Sequence, residues 1–268
     1  MLRVFWWVRK RLTFFVPPDP AGLYLDLLAR VLTGTVVEEE PDHDHPNATA
    51  FAASFARHYI AGEAITMLPR VRLANIAFAV RTVIAEDIAG DLIEAGVWRG
   101  GAAIFMRAAL AAYGDARRVV HLADSFEGLP EPDPGRVKEA AFHAGPILQK
   151  LYKRMAATLG DVQANFAAFG MLDERVRFHQ GWFKDTLPGL AGERFALLRL
   201  DGAYYESTMD GLTWLYPLLS PGGFAIIDDY GEDSWTDCRA AVEEYRGRHG
   251  ITGEVTWVDR RCAWWRKE

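Results

Sequence analysis

Residues 91–101 read DLIEAGVWRGG, residues 195–201 read FALLRLD, and residues 224–229 read FAIIDD. Each is a short apolar run that stops abruptly at acidic residues or glycine. That pattern predicts buried strands of about 5 to 7 residues rather than helices, which need at least about 10. The first run (91–97) is followed by a helical stretch over 100–113. A second strand follows at 119–124 (VVHLAD), a third at 175–181 (RVRFHQG), a fourth at 195–201 and a fifth at 224–229. Helical spacing lies between them over 147–169, with a possible break near Gly160, and over 206–219. Pro221, Gly222 and Gly223 read as the turn into the fifth strand. A helix is expected over 237–249, then a closing hairpin from 255–259 and 263–266. The polar, proline-bearing stretch 131–141 reads as loop. Strands alternating with helices imply a mostly parallel sheet with right-handed crossovers, here with an antiparallel edge. ALLRL and FAII fit central strands buried on both faces. The fold class is therefore α/β, a Rossmann-like sheet of seven strands with an N-terminal helical extension.

Upstream, Pro17, Pro18 and Pro20 separate a first segment from a helix expected over 23–32. The acidic stretch 38–46 (EEEPDHDHP) places His43 and His45 beside Asp44 and reads as a solvated loop. Helices are expected over 50–61 and 70–88. Residues 1–16 read MLRVFWWVRKRLTFFV, in which Arg9, Lys10 and Arg11 split two apolar runs. Neither run approaches the roughly 20 residues that span a bilayer, and a secretory signal carries its charges ahead of the apolar stretch. An arm docked on a neighbouring subunit is the expectation, with an amphipathic surface segment as the alternative. The division expected is 1–89 as arm and helical cap and 90–268 as the sheet domain, with a lid insertion around 131–165.

The chain of 268 residues carries 36 acidic and 30 basic residues, a net charge of −6. That excludes the basic footprint of a nucleic-acid binder. The two cysteines, Cys238 and Cys262, make no CxxC pair and read as buried thiols in a reducing compartment, so a cytoplasmic location is expected.

Ligands of open α/β sheets bind beyond the carboxyl ends of the strands. The first strand ends in Glu94, Gly96, Val97, Trp98, Arg99, Gly100 and Gly101, where glycine permits a tight turn and close ligand approach. The spacing is not GxGxxG, which argues against a nicotinamide-dependent oxidoreductase. The second strand ends in Asp124, a position suited to ribose hydroxyls. The fourth and fifth end in Asp201 and in Asp228 and Asp229. If those strands are neighbours, about 4.8 Å apart, their carboxylates meet and repel unless a cation intervenes, and hard oxygen donors favour Mg²⁺. The alternative is that one Asp caps a helix and another pairs with an arginine.

These segments together resemble the macrocin O-methyltransferase (TylF/MycF-like) family. The matching stretches are LYLDLLARVLTG, AITMLPRVRLANI, GDLIEAGVWRGGAAIFMRA, LADSFEGLP, VQANFAAFGMLDERVRFHQGWFKDTLP, LLRLDGAYYESTMDGLTWLYPLLSPGGFAIIDDY and ITGEVTWVD, spread over residues 24–259. The resemblance implies a class I methyltransferase fold that uses S-adenosylmethionine, releases S-adenosylhomocysteine, and methylates a hydroxyl of a small natural product in antibiotic or other secondary metabolism. It implies that Glu94, Gly96, Val97, Trp98, Gly100 and Gly101 hold the methionine part of the cofactor. Asp124 would bind the ribose beside Ser125 and Phe126, and Gln180, Gly181 and Trp182 would lie near the adenine. Asp201, Asp228 and Asp229 match the magnesium ligands, and Asp201 is also the candidate base; Tyr204 and His143 are other groups near the acceptor. A homo-oligomer is the family tendency. The family usually reads DGD where this chain reads Asp201-Gly202-Ala203. That loss keeps two rivals open: a homologue that binds cofactor without turnover, and an enzyme for a non-sugar, catechol-like hydroxyl.

Overall fold

The computed structural model describes residues 19–37, 58–59, 62–144, 156–231 and 237–268. The N-terminal arm, the His43–His45 loop and nearly all of the helix expected over 50–61 lie outside these residues, as do residues 145–155.

Seven strands form one sheet: β1 Asp91–Ala95, β2 Val120–Asp124, β3 Val176–Gln180, β4 Phe195–Leu200, β5 Leu219–Ile227, β6 Thr256–Trp257 and β7 Ala263–Arg266. Their order is β3-β2-β1-β4-β5-β7-β6. The first five are parallel, and β7 runs antiparallel to β5 and to β6. The order reverses between β1 and β4, which opens a crevice at the carboxyl ends of those two strands.

Alternation along each strand builds two cores. Leu92, Leu122, Leu197, Phe224 and Ile226 face one layer, formed by α1 (Pro20–Leu32), α2 (Arg70–Ala85) and α3 (Gly101–Ala112). Ile93, Ala123, Leu198, Ala225 and Ile227 face the other, where α7 (Tyr205–Leu215) and α8 (Cys238–His249) supply Leu212, Leu215, Val242 and Tyr245. Helix α3 is buried from Gly101 through Leu110 because α1 and α2 cover the side that the sheet does not. Trp265 is fully buried, and both cysteines are buried free thiols.

Four local expectations are corrected. The stretch 131–141 is not all loop: Asp133 accepts the Gly135 and Arg136 amides, and a short helix, α4 (Val137–His143), follows. The expected helix over 147–169 begins, among the described residues, only at Leu159. There Thr158 and Asp161 cap each other's backbone N–H reciprocally, so α5 (Leu159–Ala168) starts at that point and Gly160 sits inside its first turn. The helix expected to run to 219 ends at Leu215, gives way to a 3-10 turn at Tyr216–Leu218, and Leu219 already belongs to β5. Residues 221–223 are therefore not a turn outside the strand. Gly222 and Gly223 exchange backbone hydrogen bonds with Lys267, and a side chain on Gly223 would meet the Ala196 carbonyl at 2.8 Å.

Asp173 ties the two halves of the first layer together. It accepts from Arg107 of α3 at 2.5 Å and from Arg175, just before β3, at 2.9 Å. The Arg107 hydrogen bond, working against partial burial and helped by Arg175, lowers its pKa to about 2. A depressed carboxylate stabilises the fold at pH values above its unfolded pKa of about 4 and loses that contribution as pH falls through its folded value. Asp173→Asn should therefore cost about 1 kcal/mol at neutral pH. Its Tm deficit should narrow as pH is lowered from about 4 toward 2; equal melting temperatures at neutral pH would refute the linkage.

Candidate functional site

The β1 end is shaped by contacts that only certain residues permit. Gly96 has φ +89°, and a Cβ there would collide with the Asp201 carbonyl at the end of β4. Gly100, at φ +84°, leads into α3 without a side-chain cap; the Gly101 N–H donates to the Ile65 carbonyl at 3.2 Å, which leaves the next first-turn N–H groups for an anion. A Cβ on Gly101 would meet the Ile65 carbonyl at 2.6 Å. Val97 is buried, and the half-buried Trp98 has a buried Nε1 with no hydrogen-bond partner. Arg99 does not pair with an acid here: its guanidinium donates to the Ala64 carbonyl at 2.8 Å and lies 4.6 Å from the Trp98 ring.

Asp124 is the hinge of the neighbouring loop. One of its oxygens accepts from the Val97 amide at 2.7 Å and the other from the Phe126 amide at 2.8 Å. Burial raises its pKa, while those amides oppose the shift. Each carboxylate oxygen has two lone pairs, so acceptor capacity remains for a ligand. Buried Ser125 donates to the Gly128 carbonyl and accepts from Glu127. The Gly181 amide donates to the Asp124 carbonyl at 2.9 Å, which brings exposed Gln180 and half-buried Trp182 beside the same loop. Trp182 caps the short helix α6 (Phe183–Thr186). Among the described residues, four non-glycine residues have positive φ, and Trp98, Phe126 and Ala203 are three of them. Such strain collects where a site has to be held in shape.

β4 and β5 are neighbours, as the metal reading required. Their carboxylates surround a cation that sequence reasoning missed. Arg199 is 2% exposed; it pairs with Glu94 of β1, with Asp201 at 2.9 Å and with Asp228 at 2.8 Å. A second overlooked cation, Arg72 of α2, reaches the other oxygen of Asp228 at 2.6 Å and Asp259 of the β6–β7 turn at 2.6 Å. A signal for Arg199 was present, since a charge inside the apolar run FALLRL must be paired if it is buried. Arg72 sits on a helix and gave none. So Asp228 does pair with arginine, as the alternative reading held, and so does Asp201, while Asp229 makes no such pair among the described residues.

The electrostatics follow from the crowding. Burial pushes Asp229 up to about 7, with Asp201 and Asp228 adding repulsion. Burial and Asp228 raise Asp201 to about 6. Burial lifts Glu94 to about 8, although Arg199 pulls the other way. Asp228 goes down: its two guanidinium partners outweigh its burial. Four carboxylates thus share one strand-end site with two guanidinium groups.

A third overlooked residue closes the other side. Glu139 of α4 is fully buried, and its Oε1 accepts the backbone amides of Tyr205 and Asp237, each at 2.9 Å. One α4 side chain thereby holds the beginnings of α7 and α8, the helices that follow β4 and β5. Tyr204 is buried beside them; the His143 side chain lies outside the described groups.

The family model for macrocin O-methyltransferase (TylF) matches residues 58–267. The chain is 45% identical to an O-methyltransferase of Streptomyces olivaceus, with 92% of this chain and 94% of that protein covered. That relative is named 8-demethyl-8-(2,3-dimethoxy-alpha-L-rhamnosyl)-tetracenomycin-C 4'-O-methyltransferase. It is 42% identical to mycinamicin III 3''-O-methyltransferase of Micromonospora griseorubida, covering 94% and 98%. Among solved structures it is similar to the O-methyltransferase NovP, with a TM-score of 0.78 and 39% identity over 92% of this chain and 99% of that one. Matches of this extent show that the chain belongs to the TylF macrocin O-methyltransferase family and is an S-adenosylmethionine-dependent O-methyltransferase.

Proposed function

We propose that the enzyme methylates a sugar hydroxyl of a glycosylated small natural product, with Mg²⁺ held at the ends of β4 and β5. The observation that carries the metal is the excess of acid: Glu94, Asp201, Asp228 and Asp229 gather at adjacent strand ends against two guanidinium groups, and burial together with the repulsion left over pushes Asp201 and Asp229 up. A divalent cation with oxygen ligands suits such a donor set. Asp201 and Asp229 would hold it, and Asp228 would join through lone pairs that Arg72 and Arg199 do not use; the three carboxylates do not all come within 4.8 Å of one another without the ion, so it would have to draw them in. The sugar acceptor rests on the relatives, one of which is named for a rhamnosyl substrate.

The cofactor site fits on independent grounds. The uncapped start of α3 suits the carboxylate of the methionine part, and Trp98 Nε1 is an orphaned donor at the same turn. Asp124 faces the ribose role, while Gln180, Gly181 and Trp182 flank the adenine end. Bound S-adenosylmethionine supplies an electrophilic methyl group, and bound Mg²⁺ supplies Lewis acidity toward the acceptor hydroxyl. The chain's own part is alignment and proton removal. Asp201, about a third exposed, is reachable by an acceptor and would serve as the general base. Arg199 fixes its orientation. The lid held by Glu139 limits water at the acceptor.

The rival in which cofactor binds without turnover rests on Ala203, where the family's second carboxylate is missing. A methylated product from any hydroxylated acceptor dismisses it. We also read α1 as an interface with a second copy: Leu23, Leu27 and Val31 lie one turn apart and are 64%, 57% and 41% exposed. A monomer by light scattering would sink that reading. Buried free thiols suit a cytoplasmic enzyme, and among the described residues no helix is long and apolar enough to cross a membrane.

Calorimetric titration tests the cofactor first. S-adenosylmethionine should bind saturably, and Asp124→Asn should weaken it about tenfold, near 1.4 kcal/mol; an unchanged affinity would remove Asp124 from the ribose site. Asp229→Asn should abolish Mg²⁺-dependent turnover and Mg²⁺ binding while cofactor affinity stays within about twofold. Full activity in that variant, or turnover of the wild type that survives a chelator, would overturn the metal.

A further inference from the structure

At the opposite end of the sheet lies a second cluster of ligating groups that methyl transfer does not use. Asp91 opens β1, His121 stands second in β2, and Glu193 lies two residues before β4. One ligand atom from each falls within 4.8 Å of the other two, the one such group among the described residues. His121 is fully buried, its ring edge-on to Phe195 at 5.3 Å.

We propose that Asp91, His121 and Glu193 form a binding site for a divalent transition metal of the zinc type, separate from the strand-end site. Three features of the cluster support it. First, the donors are one imidazole nitrogen and two carboxylates, a set that suits Zn²⁺ better than Mg²⁺. Second, His121 Nε2 lies 3.3 Å from Asp91 Oδ2. That is long for a hydrogen bond to a carboxylate, but two ligands about 2.0–2.1 Å from a tetrahedral ion are themselves about 3.3–3.4 Å apart.

Third, the supporting groups of a metal site are in place. The other ring nitrogen of His121, Nδ1, sits 3.0 Å from His179 Nε2. At that distance His179 Nε2 can accept the Nδ1 proton. That tautomer turns the Nε2 lone pair of His121 toward the two carboxylates. Asp91 is held from behind, its Oδ1 accepting the Val119 amide at 2.9 Å.

Asp91 and Glu193 are 24% and 35% exposed at their side chains, so an ion has a path in. Arg177 competes from solvent, 3.2 Å from Glu193 and 52% exposed. A pair that open is weak and yields to a coordinate bond. The ion would tie β1, β2 and the β3–β4 connection together at the end of the sheet that carries no substrate.

The test is Zn²⁺ titration of chelator-stripped full-length protein in saturating Mg²⁺, which keeps the strand-end carboxylates occupied. One equivalent of Zn²⁺ should bind, raise the Tm and shift the His121 Nε2 resonance. Co²⁺ should give the visible absorption of a tetrahedral site. Glu193→Gln, a substitution at a partly exposed position, should weaken Zn²⁺ about 10–100-fold and leave S-adenosylmethionine affinity unchanged. Wild-type zinc affinity in Glu193→Gln, an unmoved His121 resonance, or no zinc binding under these conditions would overturn the site.

Discussion

A guanidinium buried among carboxylates fixes the working end of this molecule. Arg199 takes three acids from three adjacent strands: Glu94 of β1, Asp201 after β4 and Asp228 after β5. Removing one partner of such a buried set usually costs several kcal/mol, because the charges left behind have no water. The strand ends are therefore held in register by charge as well as by the backbone ladder. Arg72 extends the same net to α2 and to the β6–β7 turn, so a helix of the first layer, the central strands and the sheet edge share one electrostatic knot. The surplus of acid that remains is what makes the place receptive to a cation.

Around that knot the backbone is under local stress. Gly96 must pass against the Asp201 carbonyl, and Trp98, Phe126 and Ala203 are held in left-handed conformations. The Asp124 carboxylate bridges two of these turns through the amides of Val97 and Phe126. A ligand arriving there meets a surface already shaped, which lowers the ordering cost of binding. Helix α4 is tied to the same frame, since Glu139 caps backbone that belongs to α7 and precedes α8.

The alternation of short apolar runs with helical stretches was enough to read the parallel sheet and its antiparallel edge, because each strand ends at glycine or acid within one or two residues of the observed boundary. Runs such as ALLRL and FAII are buried on both faces, and that leaves little ambiguity. The failures share a cause. α4 follows Pro132, Pro134 and Gly135, whose loop signal hid the good helix formers Lys138 to Ala141, and it is secured by Glu139, a contact 66 residues away from Tyr205. β5 begins before Pro221 because Gly222 and Gly223 pair with Lys267 at the far end of the chain. Asp124, Asp201, Asp228 and Asp229 were visible as strand ends, whereas Arg72 was not, since no local pattern marks a helix residue that will reach a strand end 156 positions later.

Ala203 has one consequence of a different kind. It occupies φ +60°, where an alanine Cβ crowds the backbone at a cost of about 1–2 kcal/mol and where Asp or Asn is better tolerated. The backbone at that corner is thus set by its surroundings rather than by alanine's own preference, and an aspartate or asparagine could stand there with less strain.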